Sequence, residues 1–529
     1  MNRANPIRHI AERASAALAA GTPSMDAIIN WLRERAPAAQ LSANSRQIAR
    51  GDVFFALRTP HGDGRAYIEA AIIAGAAAVV YEAEDFEWDG RLTLPHLAVS
   101  GLLAQAGTIA STWYAAPAAP LYSVAVTGTN GKTSCTQWLA KALSLAKCDS
   151  AVIGTLGHGL YKNGLAGSFT ETGYTTPDAI SLQRSLVSLR AQGAEALAIE
   201  ASSIGLAEAR LAGLHIDVAV FTNLTRDHLD YHGDMVAYGA AKRQLFDAPE
   251  LAAAVLNLDD PFGAGLVPYL QARNPQLRLL GYRIEGAATL PAESHISLLR
   301  ASHLKASHGG TSFHLDSPFG TGLVKTQLIG RFNVSNILAV LAVLLDKGVS
   351  FSKALAIVEK LPPVAGRMQL LGTAGHVMVV IDYAHTPDAL EKTLLALQSV
   401  AQERGGQLWC VFGCGGDRDP GKRPQMGKVA QLAAQVVLTN DNPRSEAPSS
   451  IIAEIVAGMD LKAHIVEDRA NAILYAIKHA GDHDVVLLAG KGHETYQEIA
   501  GKKSPFSDEE HAALALATIA TNGNMKRGN

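Results

Sequence analysis

Lys132 and Thr133 follow Gly128-Thr129-Asn130-Gly131 directly and are themselves followed by Ser134. A cation and a hydroxyl entered through a glycine turn suit a polyphosphate. Backbone N–H groups at a helix N-terminus receive the anion, the lysine reaches the outer phosphates, and the threonine hydroxyl meets Mg²⁺. The spacing G-T-N-G-K-T is shorter than the usual G-x-x-x-x-G-K-[ST], because Ala125 and Val126 stand where its first glycine would be. The stretch Gly128 to Ser134 is therefore read as an ATP site, with Lys132 acting on the transferred phosphoryl group.

Further polar clusters each close an apolar run: Glu200-Ala201-Ser202-Ser203, Thr222-Asn223, Asp227-His228, Asn257-Asp259-Asp260, Asp382-Tyr383-Ala384-His385, Gly415 to Arg418, Asn440 to Arg444, and Gly490 to Glu494. One such cluster is an ordinary turn or cap. So many, at the ends of apolar runs, predict a ligand cleft along the carboxyl ends of parallel strands.

The elements that must position these groups follow from the same text. Val124 to Val126 predicts a strand, and Cys135, Leu139, Ala142, Leu143 and Ala146 have the period of a helix packed on one face. Strands are expected at 196–201, 217–222 and 253–257, with strands and helices alternating to about residue 360 in a mostly parallel sheet. A third α/β segment has strands near 377–381, 408–412, 436–438 and 485–488. Before the phosphate loop, strands at 53–57 and 77–81 predict a small α/β unit. Residues 1 to about 40 read as an accessory helical extension, with Ile28, Ile29 and Leu32 as its apolar face. Ala115 to Pro120 and Leu361-Pro362-Pro363 mark boundaries. The fold class is α/β in three domains: residues 1–119, a central P-loop ATPase-like parallel-sheet domain at 120–361, and a Rossmann-like domain at 362–529.

With 529 residues, 48% hydrophobic, 18% charged and a net charge of -3, the chain has the composition of a folded multidomain protein. No basic run points to nucleic acid, and no apolar run is long enough to insert in a membrane. The four cysteines lack zinc spacing, so free thiols in a cytoplasmic protein are expected.

The motifs GTNGKTS, TTPDA, EASSIGL, TNLTRDHLDYHG, YGAAKRQLF, NLDD, GRMQ, DYAHTPDAL, GDRDPGKRP, DNPR and AGKGHE together resemble the Mur ligases of peptidoglycan synthesis, from about Ser42 to about Glu510. The resemblance implies a monomeric, ATP-dependent amide-bond-forming enzyme that works through an acyl phosphate, with Mg²⁺ held by Thr133, Glu200, His228 and Lys242. In the family that lysine carries a carbamate, which requires a depressed pKa. The resemblance further assigns Asn257, Arg367, Asp382 and His385 to ATP. It assigns Ser45, Pro60, His61, Gly62, Thr175, Thr176, Ser202 and Arg210 to UDP-N-acetylmuramoyl-L-alanyl-D-glutamate. Glu208 and Tyr174 stand where Gln and Asn are common. Arg418, Asp441, Asn442, Pro443, Arg444, Gly490 and Glu494 match the contacts to the incoming amino acid. The arginine of D-N-P-R favours meso-2,6-diaminopimelate, because a guanidinium forks onto the distal carboxylate that lysine lacks. The alternatives are a lysine-adding ligase, a folylpolyglutamate synthase-like ligase, and an ATP-dependent switch without ligation.

Overall fold

The computed structural model describes residues 23–60, 62–285, 295–307, 310–372 and 376–527. His61 and residues 1–22 of the expected extension lie outside them.

The first sheet has four parallel strands in the order Leu41–Ser42, Val53–Ala56, Ala78–Glu82, His96–Val99. Helix Met25–Arg35 is capped by Ser24, whose hydroxyl accepts the Ala27 N–H. Its Ile28, Ile29 and Leu32 are buried with Leu41, Val53, Phe55, Leu102 and Ile109. This corrects the reading of the segment as accessory. Burying an aliphatic side chain contributes about 1.5–3 kcal/mol, so three of them make the helix part of the domain's core.

The central sheet has eleven strands among the described residues. Seven consecutive strands run parallel, in the order Ser150–Gly154, Ala196–Glu200, Tyr122–Thr127, Val218–Phe221, Ala253–Asn257, Arg278–Ile284, Ser297–Ser307, and the first six form its middle. Alternation along Tyr122–Thr127 sends Val124 and Val126 towards helices Lys132–Leu145 and Arg331–Asp346, and Ala125 towards helices Ala179–Ala191 and Pro261–Arg273. The expected strand–helix alternation fails at both edges. Gly157–Lys162 returns antiparallel on one side. On the other, Ser297–Ser307, Gly310–Ser317 and Gly320–Thr326 form a meander with no helix between them. These strands carry polar residues on alternate positions, so they lack the continuous apolar runs of the doubly covered middle.

The third sheet has the order Gln369–Leu371, Met378–Asp382, Val485–Ala489, Leu408–Phe412, Gln435–Leu438, His464–Ile465, antiparallel only at its first pair. Separate apolar clusters cover its two faces. At the junction with the central unit, the Trp138 indole donates to the Pro362 carbonyl at 2.8 Å.

Candidate active site

Strand Tyr122–Thr127 is central, and the loop leaving its carboxyl end is shaped by glycine. Gly128 and Gly131 have φ of +150° and +87°, and a Cβ on Gly131 would lie 2.6 Å from Asn336 Oδ1. Helix Lys132–Leu145 starts at Gly131 with no side-chain cap, which leaves its first N–H groups facing the loop. Neighbouring strand ends brace this turn. Asn223 Oδ1 accepts the Asn130 N–H at 2.9 Å, and the Thr129 hydroxyl meets Tyr238 Oη at 3.0 Å.

Lys132 Nζ donates to the carbonyls of Gly128 and Thr129, both at 2.8 Å. Lys242, on helix Met235–Arg243, donates to the same Gly128 carbonyl at 2.7 Å and lies 4.4 Å from the centre of the Tyr238 ring. Lys242 is fully buried. Burial first, and then the Lys132 charge, push its pKa well below the usual lysine range. Burial also lowers that of Lys132, against the pull of Glu200 and Asp227.

Glu200, at the end of its strand, is buried and accepts from Thr133 Oγ1 at 3.0 Å, from the Thr155 N–H at 2.8 Å and from Thr155 Oγ1 at 3.2 Å. Thr155 Oγ1 in turn meets Thr175 Oγ1 at 3.1 Å. The Thr176 hydroxyl donates to the Glu200 carbonyl at 2.7 Å and accepts the Ser202 N–H at 3.0 Å, while Ser202 Oγ caps a short helix through the Gly205 N–H. Arg210 donates to the Thr176 carbonyl at 2.8 Å, pairs with Glu208 at 2.6 Å and lies over the Tyr174 ring at 5.2 Å. Both departures from the family pattern thus gather on one guanidinium. Ser45 lies in a half-buried turn and Pro60 and Gly62 at an exposed hairpin. None of the three hydrogen-bonds to the phosphate loop among the described residues.

His228 has φ of +52° and sits 3.5 Å from Asp227 Oδ2. Burial lowers its pKa, with Asp227 opposing and Lys132 and Lys242 adding to the fall, so a neutral imidazole is favoured. Among the described residues no three His, Cys, Asp or Glu side chains cluster as a ready metal cage. Of the expected donors, the Thr133 hydroxyl and the Glu200 carboxylate meet at 3.0 Å, and the His228 imidazole stands near enough to Lys132 and Lys242 for their charges to act on it. Such a set of few protein ligands, dominated by hard oxygen, fits Mg²⁺ completed by phosphate oxygens and water.

Asn257 is buried and already committed: its amide donates to the Thr222 carbonyl at 2.6 Å and its Oδ1 accepts the Asp259 N–H at 3.0 Å. Its side chain shapes the strand end at the expected ATP site.

The third sheet turns its own carboxyl edge to this loop. Arg367 donates to Thr133 Oγ1 at 3.2 Å and lies over the Tyr383 ring at 4.3 Å. Asp388 accepts from Asn130 at 3.2 Å, His385 is 3.8 Å from Asp227, and Arg226 pairs with Asp419 at 3.1 Å. Asp382 is buried and accepts the N–H groups of Met368 at 2.8 Å and Ala384 at 2.9 Å, which ties the junction segment to the sheet. Burial raises its pKa.

Farther along this edge the D-N-P-R turn is closely held. Arg444 has φ of +52°, a region costly for a long side chain. Backbone bonds fix it there: its N–H donates to the Glu498 carbonyl at 3.0 Å, and its carbonyl accepts from Ala500 at 2.6 Å. Arg444 Nη1 donates to the Gly416 carbonyl at 2.6 Å, and Nε is 3.7 Å from Glu498. Pro443 carries the turn between Asn442 and Arg444. Asn442 is buried and donates to Glu494 Oε2 at 2.8 Å, while its Oδ1 accepts from Lys491 at 3.1 Å and from the Glu498 N–H at 2.9 Å. Gly490, at φ +109°, has no room for a Cβ beside Asp441 Oδ2. Arg418 donates to its neighbour's carbonyl at 3.1 Å.

Sequence reasoning missed Thr155, Asn223, Asp227, Lys491 and Glu498 as parts of the site. Asn223, Asp227 and Lys491 stand in the strand-end clusters that together predict a cleft, but have no individual role assigned to them there. Thr155 and Glu498 carry no sequence signal, because their partners are distant in the chain.

A model of the Mur ligase middle domain matches residues 126–344, and one of the Mur ligase, glutamate ligase domain matches residues 366–492. The chain is 55% identical over 505 residues to the UDP-N-acetylmuramoyl-L-alanyl-D-glutamate–2,6-diaminopimelate ligase of Janthinobacterium sp. (strain Marseille), covering 95% of this chain and 99% of the relative. It is 50% identical to the protein of the same name from Ralstonia nicotianae, covering 94% and 96%. A solved structure of a UDP-N-acetylmuramoyl-L-alanyl-D-glutamate–2,6-diaminopimelate ligase superposes with a TM-score of 0.63 at 36% identity, covering 91% of this chain and 95% of the other.

Proposed function

The chain belongs to the Mur ligase family, and from that premise we propose that it joins meso-2,6-diaminopimelate to UDP-N-acetylmuramoyl-L-alanyl-D-glutamate in peptidoglycan precursor synthesis. The observation that carries this reading is the facing of two strand edges. The phosphate loop, through Thr133, touches Arg367 of the unit that also bears the D-N-P-R turn.

The chemistry follows from the groups on each edge. The γ-phosphoryl group of ATP passes to the terminal carboxylate of the nucleotide-linked peptide, giving an acyl phosphate and ADP. The amine of the amino acid then attacks the acyl carbon, and phosphate leaves. Lys132 and the N–H groups of residues 128–134 compensate charge that grows on the phosphoryl oxygens. Thr133, Glu200 and His228 would hold Mg²⁺, which would supply Lewis-acid neutralisation of the phosphates. Lys242 meets the requirement for a carbamate, since a buried amine beside a second cation favours the neutral form that adds CO₂. A carbamate on Lys242 would add a negatively charged oxygen donor to Thr133, Glu200 and His228 in holding Mg²⁺.

Arg367, Asp382 and His385 order the closing segment over ATP, and Asn257 shapes the floor of its site. Thr175, Thr176, Ser202 and Arg210 receive the muramoyl-dipeptide, with Ser45 and the Pro60–Gly62 hairpin at the uridine end. Arg444 forks onto the distal carboxylate of diaminopimelate and Glu494 answers its ammonium, with Arg418, Asp441, Asn442, Pro443 and Gly490 forming the walls. We place the domain boundaries near residues 119 and 361. The protein is assigned to the cytoplasm, on the support of four free thiols; no helix among the described residues is long and apolar enough to cross a membrane.

The test is product analysis. ATP, Mg²⁺, the nucleotide dipeptide and meso-diaminopimelate should yield ADP, phosphate and a nucleotide heavier by one diaminopimelyl residue. Hydrolysis of ATP with no amide product would contradict the reading.

A further inference from the structure

Lys491 follows the strand Val485–Ala489 and Gly490, and its side chain is fully buried. A buried lysine is expensive unless its charge is paired and its protons are bonded. Here Nζ donates to Glu494 Oε2 at 3.0 Å and to Asn442 Oδ1 at 3.1 Å, and it lies 5.7 Å from the centre of the Tyr496 ring. Asn442 Nδ2 donates to the same Glu494 Oε2 at 2.8 Å. That oxygen therefore takes two donors, which leaves Glu494 Oε1 as the carboxylate's open acceptor among the described residues. Asn442 Oδ1, bonded also to the Glu498 N–H, is likewise fully used.

We propose that Lys491 is a positioning and specificity-determining residue: it turns Glu494 Oε1 towards the substrate and balances the charge of the pocket, so that a zwitterionic side-chain end is preferred over a purely cationic one. The inference rests on the diaminopimelate reading of this site and deepens it. The charges around the pocket are Arg418, Arg444 and Lys491 on one side and Asp441, Glu494 and Glu498 on the other, with Glu498 3.7 Å from Arg444. They cancel. Diaminopimelate brings a distal ammonium and a distal carboxylate, with no net charge, whereas lysine brings one positive charge. Without the Lys491 ammonium the pocket gains a net negative charge, which attracts the lysine tail and gives nothing to a zwitterion. Arg444 reads the carboxylate by direct geometry; Lys491 disfavours the competitor through the field, without touching either amino acid.

The test is Lys491→Met, which keeps the length of the side chain and removes its charge. The turn keeps its Asn442–Glu494 and Asn442–Glu498 bonds, and thermal melting with ATP-analogue binding checks that the variant is folded. The readout is kcat/KM for meso-diaminopimelate and for L-lysine. The diaminopimelate value should fall, mainly through KM, the lysine value should rise, and their ratio should drop on the order of 10-fold. In Lys491→Met/Glu494→Gln both values should be low, because the ammonium acceptor is weakened for either substrate, but the ratio should return towards that of wild type. A purely structural lysine would lower both substrates together and leave the ratio unchanged in both variants, and that result overturns the proposal. If Lys491→Met does not fold, Lys491→Gln is measured in its place with the same criterion. A wild-type enzyme with no preference for diaminopimelate would refute the reading of the site itself; a selective wild type with an equally selective Lys491→Met refutes only the role of Lys491.

Discussion

At the scale of single residues, the proposed function puts the reading of the distal carboxylate on Arg444. Its Nη1 is spent on the Gly416 carbonyl, and the remaining guanidinium donors are oriented by the same backbone turn. Removing a charge-assisted bond costs on the order of 1.5–3 kcal/mol, so Arg444→Ala should lose about 10- to 150-fold in kcat/KM for diaminopimelate. Lysine should lose much less. Steady-state kinetics with both amino acids checks this, and equal losses would make Arg444 a brace for the 416 and 444 turns. Lys242→Ala tests a different chemistry. Nucleotide binding, followed by calorimetry, should stay within about 3-fold of wild type, while turnover falls by at least about 100-fold, as expected when a group that acts in the transition state is removed. Near-normal turnover would rule out a catalytic role for a carbamate at this position. The sequence exposed these residues because each lies in a dense local motif. It did not expose Thr155 or Glu498, which reach Glu200 and Arg444 only once strands far apart in the chain are paired.

At the scale of elements, four strands of the parallel middle were legible as apolar runs, with ends within a residue or two of those observed, whereas Ser150–Gly154 and Arg278–Ile284 were not named. The meander 297–326 was not, since alternating polar and apolar residues with glycines read as loop when one face is solvated. The helix 25–35 was legible as a helix but not as core, because only the fold shows Leu41 and Val53 waiting beneath it. The third sheet has a brace that no local pattern announces. Arg469 pairs with Asp508 at 2.7 Å, both fully buried, and also donates to the carbonyls of Ala489 at 2.9 Å and Asn440 at 3.4 Å. One guanidinium therefore joins the C-terminal helix to the two strand ends that carry Gly490 and the D-N-P-R turn. Asp508→Asn leaves that charge without its partner, which costs about 3–5 kcal/mol. Urea unfolding should show a loss of that size, and KM for diaminopimelate should rise as the two turns loosen. A loss below about 1 kcal/mol would mean that the pair is relaxed by water.

At the scale of the whole molecule, catalysis requires the two carboxyl edges to face one another, and few contacts hold them so. Arg226–Asp419 is partly exposed, as is Asp388 opposite Asn130. Each such pair contributes about 0–1 kcal/mol, suited to an interface that opens and closes. Arg226→Ala/Asp388→Ala should leave the melting temperature within about 2 °C of wild type, yet raise the radius of gyration seen by small-angle scattering with bound nucleotide and lower kcat. Unchanged scattering with unchanged kcat would show that these contacts do not govern closure. The central claim is that phosphate-loop chemistry on one edge is coupled to recognition of one amino acid on the other. Its most direct test is the initial rate of phosphate release from ATP with Mg²⁺ and saturating UDP-N-acetylmuramoyl-L-alanyl-D-glutamate, measured with meso-diaminopimelate, with L-lysine and with no amino acid. Sustained release only with diaminopimelate, matched mole for mole by tripeptide product, is the predicted result; release at the same rate in all three would contradict it.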